Sequence, residues 1–167
     1  MMRSTRLLPY LFIVCLVVCL GVQTSRAQGD REGARGSLAG VSAFSVDATV
    51  EGPAHLAESD LLRVGVLIAA ASERLREMDL PLAAASEELP NLHIHLNMMQ
   101  VQTGLIAFSV ELDFFQSVRL VDRRVSVDAI TWNESVVGLV SHDRTSIIAE
   151  SVLGLIDQFA DDFLTVN

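Results

Sequence analysis

The chain predicts an α+β domain: an antiparallel β-sheet of about four strands with two helices packed on one face. Three observations predict it. Four stretches alternate apolar and polar residues with the period of a half-buried strand. Two longer stretches place apolar residues three and four apart, the spacing of a one-sided helix. The order is strand, helix, three strands, helix, which suits helices gathered on one face and a second face open to water.

Before the domain, residues 1–27 read MMRSTRLLPYLFIVCLVVCLGVQTSRA. Arg3 and Arg6 form a positive start, Leu11 to Val22 is an uncharged apolar run, and Ser25 and Ala27 put small residues at a cleavage site. That pattern predicts a cleavable secretory signal. The alternative is a retained anchor, for which the apolar run is short against the roughly 20 residues of a span. Cys15 and Cys19 both lie in this segment, each after a valine rather than a small residue, which disfavours lipidation. The mature chain then has no thiol chemistry. Residues 28–40 are rich in glycine and charge and read as a flexible linker. Residues 41–167 form the single domain.

Within it, Phe44, Val46, Ala48 and Val50 share one side of the first strand, ended by Glu51-Gly52-Pro53. Ser59 is the predicted N-cap of a helix whose apolar face is Leu61, Val64, Ile68, Ala71, Leu75 and Met78. Asp79-Leu80-Pro81 stops it, and residues 81–90 leave room for a short strand. Residues 91–102 are the second strand, Thr103-Gly104 a turn, and 105–120 the third. Phe108, Val110, Leu112, Phe114, Val118 and Leu120 share a face there. Gln116 falls on that apolar face and needs a partner or a local irregularity. Residues 121–124 form a loop and about 128–140 the fourth strand. A helix from about 143 to 164, capped by Ser141 or Asp143, carries the stripe Ile148, Val152, Leu155, Ile156, Phe159 and Phe163.

Charge narrows the function classes. The chain has 12 basic residues, all arginine, and 21 acidic ones, for a formal charge of −9. Losing Arg3, Arg6 and Arg26 with the signal takes this to −12. Such a surface repels phosphate backbones, so nucleic acid is not an expected partner. Nor is stable membrane insertion expected after signal cleavage.

The candidate chemistry is sparse. His93 and His95 lie two apart on a strand and so share a face. A pair of that kind can ligate a metal together with further ligands. The plainer account is that Leu92, Ile94 and Leu96 take the core side and the histidines the wet side. Asp157, Asp161, Asp162 and Glu150 read as the solvated face of the last helix. Glu111 and Asp113 share a strand face without sugar-stacking aromatics nearby. Asn133-Glu134-Ser135 matches a glycosylation acceptor by chance. No Gly-x-Ser-x-Gly elbow or phosphate loop occurs. Gln116 and Trp132 are the possible partner or structural site.

Several stretches together resemble a group of exported bacterial α+β proteins that carry a domain of unknown function. They are Glu73-Arg-Leu-Arg-Glu-Met-Asp-Leu80, Leu92-His-Ile-His-Leu96 and Phe108 to Leu120. Ala129-Ile-Thr-Trp132, Val137-Gly138 and the terminal Leu155 to Asn167 complete the set, with the Thr-Trp pair and the Val-Asn ending the most specific. The resemblance spans 59–167. It implies location and architecture and brings no activity. Element order alone is also similar to small α+β domains of envelope-assembly and transporter-auxiliary proteins, and fold does not fix function. The sequence therefore reads as an exported, periplasmic or extracellular, non-enzymatic binding or assembly module. It would act through its sheet face or edge on an envelope protein partner, with no cofactor expected. The alternative is a metal- or small-ligand-binding protein using His93 and His95.

Overall fold

The computed structural model describes residues 31–167 apart from Glu87 and Thr103. The predicted signal and residues 28–30 lie outside the described residues.

The α+β architecture is present, built on one four-stranded sheet of order β1-β2-β3-β4. Its strands are β1 (Ser45–Glu51), β2 (Asn91–Gln102), β3 (Leu105–Leu120) and β4 (Val125–Ser141). The helices are α1 (31–36), α2 (Ala54–Ala57), α3 (Val64–Glu77) and α4 (Ser146–Val166), with a 3-10 turn at His142–Arg144. The sheet is mixed rather than antiparallel throughout. β1 pairs parallel with β2, while β2·β3 and β3·β4 are antiparallel. Alternation reports which face a residue takes and says nothing of strand direction. Direction follows from the connection: a helical crossover between β1 and β2 returns the chain to the starting edge, whereas the two tight turns reverse it.

The first long helix differs in its start and its rotation. Ser59 caps nothing: its hydroxyl is buried without a partner, and α3 begins after Arg63. The buried positions are Leu67, Ala71, Ser72 and Leu75, with Leu62 ahead of them, while Leu61 and Val64 are exposed. The predicted stripe was thus set too early in the turn. Chain reversal at 58–63, a run without glycine or proline, separates α2 from α3. The predicted stripe of α4 is buried in full. The β3 face is buried from Ile106 to Phe114 and then loses its cover.

The core is the layer between the sheet and α3 and α4. Its centre is aromatic: Phe44, Phe114, Phe159, Phe163 and Trp132 meet edge-on or tilted, with the Trp132–Phe159 centroids 5.0 Å apart. Such contacts add to the area buried. Arg74 of α3 clasps Asp157 of α4 with two bonds of 2.7 and 3.1 Å, so that acid holds the helices together. Gly138 of β4 is where the Phe108 ring passes close; a Cβ there would stand 2.4 Å from it.

Residues 31–40 correct the predicted linker. They form α1 and a turn packed on the domain, and Leu38 is fully buried. Glycine and charge made the stretch look like a tether, but its one large apolar side chain enters the core and Arg31 and Arg35 reach Glu134 and Asp162. None of the helices among the described residues is long and apolar enough to cross a membrane.

Candidate functional site

Two regions gather the polar residues singled out above. The first lies under the sheet at its junction with residues 31–40. A register shift between Phe114 and Phe115 leaves Thr131 as an extra residue of β4. Trp132, the next residue, turns into the core and its indole N–H donates to Asp162 Oδ2 at 3.1 Å. Asp162 also accepts from Arg35, at 2.7 and 2.8 Å on Oδ1. The Gln116 side-chain amide donates to the Ser37 carbonyl at 3.0 Å, and the Ser37 hydroxyl reaches the Thr131 carbonyl at 3.0 Å. Asn167 at the chain's end closes the set: it donates to the Leu38 carbonyl at 3.0 Å and accepts from Gly40 N–H at 2.8 Å. Gln116 and Trp132 thus meet the first segment of the domain, one through a backbone carbonyl and one through Asp162.

Asp162 is the residue that sequence reasoning misplaced. It is 4 % exposed, not on a solvated face. The signal was present: Asp162 lies seven residues after Leu155 and three after Phe159, on the apolar stripe itself. A buried carboxylate needs partners, and the single Trp and an early Arg supply them.

The second region is the open sheet face. Register aligns Asp47, His93 and Asp113 in one row, and Thr49, His95 and Glu111 in the next. Both histidines take the wet side, opposite buried Leu92, Ile94 and Leu96. His93 Nδ1 is 2.5 Å from Asp47 Oδ1. His95 Nε2 is buried without a hydrogen-bond partner, 3.9 Å from a Glu51 oxygen. The rings stand 6.4 Å apart. Among the described residues no three His, Cys, Asp or Glu side chains converge as metal ligands would. Burial pushes the Asp113 carboxyl above the usual aspartate range; Glu111 adds to the effect and the two histidines oppose it.

The face differs from end to end. Beyond Asn97 it becomes apolar, with Met99, Val101, Val137 and Leu139 exposed and a shallow depression of about 310 Å³ beside Met99 and Val137. At the other end, where β3 and β4 leave β2 behind, a cleft of about 440 Å³ opens. Asp47, Glu88, Asn91, His93, Phe115 and Asp128 line it, and Gln116 borders it as well. Past the cleft β3 and β4 continue as a two-stranded arm, because β2 starts only at Asn91, opposite Phe115. The sequence did not mark where this arm begins.

No family model matches the chain. No curated protein matches it either. Among solved structures it is similar to a minor lipoprotein from Acinetobacter baumannii, with 8 % identity and a TM-score of 0.38 over 75 % of this chain and 92 % of that one. It is also similar to the rare lipoprotein B from Shewanella oneidensis, with 14 % identity and a TM-score of 0.30 over 74 % of this chain and 91 % of that one.

Proposed function

We propose that the protein is an exported, non-enzymatic binding or assembly module of the cell envelope whose working surface is the open sheet face and the β4 edge. One observation supports this most. β4 is a 17-residue edge strand without proline, and its own Val137 and Leu139 are 78 % and 60 % exposed. Edge strands of this kind are normally shortened, charged or covered. Residues 31–40 reach β4 at Thr131 and Glu134, and the stretch from Ser135 on, which carries the apolar patch, suits a partner that adds a strand and seats alternate side chains on the face. The N-terminal signal pattern supports export.

The test compares the protein with a Val137→Lys, Leu139→Lys variant in envelope extract. Both positions face solvent, so the variant keeps its fold. The reading expects a stoichiometric partner with the first protein and its loss with the second. A wild-type protein that returns no stoichiometric partner, or a partner that the variant retains, overturns it.

A further inference from the structure

We propose, resting on the edge reading above, that the strand β4 receives is a second copy of this chain: two copies pair antiparallel through residues 135–141 across a two-fold axis at Gly138. The register is written in the sequence. Glu134-Ser-Val-Val-Gly-Leu-Val-Ser-His142 reads alike in both directions about Gly138. Antiparallel pairing about that residue sets Val137 against Leu139, Val136 against Val140 and Ser135 against Ser141, each twice. At both ends Glu134 of one copy stands opposite His142 of the other, a carboxylate acceptor against an exposed imidazole. Moving the axis by one residue ends the match. About 137, Glu134 meets Val140 and Ser135 meets Leu139. About 139, Val137 meets Ser141 and Val136 meets His142.

The same stretch is the open part of the edge. Arg31 reaches Glu134 at 3.4 Å and the Ser37 hydroxyl reaches the Thr131 carbonyl, so the N-terminal segment touches β4 only as far as Glu134. At the other end β4 gives way to the 3-10 turn at His142. Gly138 is the midpoint between these two limits. On its inner side the stretch pairs with β3 throughout, from Ser135 with Glu111 to Ser141 with Leu105. Among the described residues no backbone–backbone hydrogen bond ties it to anything outside the sheet. The N–H and C=O groups that point away from β3 are therefore open to another strand.

Charge and shape select a copy of the same chain. The chain carries a formal charge of −9, yet Ser135 to Ser141 contains no charged residue. Two copies meet here without the repulsion that their acidic surfaces impose elsewhere. The axis stands perpendicular to the sheet, so both open faces lie on one side. Val137 and Leu139 then join Met99 of each copy in one apolar strip. On the helix side Val136 meets Val140, and each Gly138 is covered by its own Phe108 ring. The other edge of the sheet offers no such match, because β1 carries Asp47 and Glu51. Pairing of β4 with β4 is isologous and closes at two copies. Pairing of β4 with β1 would set the apolar stretch against acids and run on without closing.

The experiment is sedimentation velocity of the purified protein over a concentration series, with Val137→Glu and Leu139→Lys variants measured separately and mixed in equal amounts. Both positions face solvent. The wild type is expected to pass from dimer to monomer on dilution. Each variant alone sets a charge against an apolar neighbour at both crossings and is expected to weaken the dimer about tenfold. In the mixture the new carboxylate of one copy meets the new ammonium of the other, while Leu139 of the first meets Val137 of the second. The dimer is expected to return, which also shows that both variants fold. A wild type that stays monomeric at every concentration overturns the proposal. So does a dimer that both variants retain, an assembly that grows beyond two copies, or a mixture no tighter than its components. The edge reading keeps its own test. A monomer that binds a different stoichiometric partner and loses it in the Val137→Lys, Leu139→Lys variant overturns the second copy and leaves that reading standing.

Discussion

β3 and β4 form one hairpin with two unlike halves. From Leu105 to Phe114, opposite Trp132 to Ser141, the hairpin has β2 beside it and α4 against it. Alternate side chains of β3 are buried there, as are Trp132 and Val140 of β4. From Phe115 to Leu120, opposite Val125 to Ile130, the same pairing continues without β2. The side chains at Leu120, Val125, Val127 and Ile130 are 39 % to 50 % exposed, and Val121 at the tip is 88 % exposed. The alternation hardly changes between the halves, so the pattern of a strand does not measure how far its cover extends. Cover is a property of the neighbours, and two strands alone are marginal in water.

The comparison predicts where substitutions act. Trp132→Ala removes the largest buried side chain of the body and is expected to lower unfolding stability by about 3–5 kcal/mol in urea denaturation. Val121→Ser at the arm's tip is expected to change it by less than about 0.5 kcal/mol. Equal effects would mean the arm is as tightly integrated as the body. Asp162→Ala comes next. It strands the Trp132 indole N–H and the half-buried Arg35 guanidinium, with an expected loss of about 3 kcal/mol. It also frees residues 31–40, so limited proteolysis is expected to cut near Arg31 and Arg35 in the variant first. A loss of stability with no new cleavage would show that Leu38 alone holds the segment.

Gly138→Ala tests the body's packing from the other side. The added methyl would stand 2.4 Å from the Phe108 ring, and overpacking of this kind costs about 1–3 kcal/mol. Thermal unfolding checks it. A neutral result would mean that Phe108 swings toward the depression beside Met99.

How much of this was legible follows from the same contrast. The α+β class, the burial of β2 and β3 and the stripe of α4 came from periodicity, which local chemistry writes directly. The parallel β1–β2 pair did not, because direction lies in the connection. The side on which Ile130 lies did not follow from its neighbours in sequence. It depends on Thr131 being an extra residue in β4, which pairs Ile130 with Phe115 while Trp132 pairs with Phe114, and a bulge is a relation between strands. Asp162 was readable in position but not in role, since its partners lie 30 and 127 residues away. The cleft was least legible. It exists where β2 ends relative to β3, and no residue type announces that point.

Asp113 makes the open face pH-sensitive. Its folded pKa lies above the ordinary aspartate value. Stability is therefore fully present below that ordinary value and declines as pH rises through the raised one. Asp113→Asn is expected to raise the melting temperature at neutral pH and leave it unchanged near about pH 3. A lower melting temperature in the variant at neutral pH would show that the ionised carboxylate is held by the histidines more strongly than burial opposes it.

The smallest effect asks whether the arm unfolds with the body or alone. Arg124 closes the tip with φ of 52°, and its N–H donates to the Leu120 carbonyl at 2.8 Å. A left-handed conformation costs an ordinary side chain about 1 kcal/mol, and asparagine tolerates it better. Arg124→Asn therefore strengthens the tip. If the arm opens as its own unit, hydrogen exchange at residue 124 slows by a few-fold while the global unfolding free energy does not move. That is the outcome expected from the exposed side chains of the arm. A gain in global stability of about 0.5–1 kcal/mol would instead join the arm to the body in one cooperative unit, since relief of strain counts toward global unfolding only when the strained turn is lost in that same step.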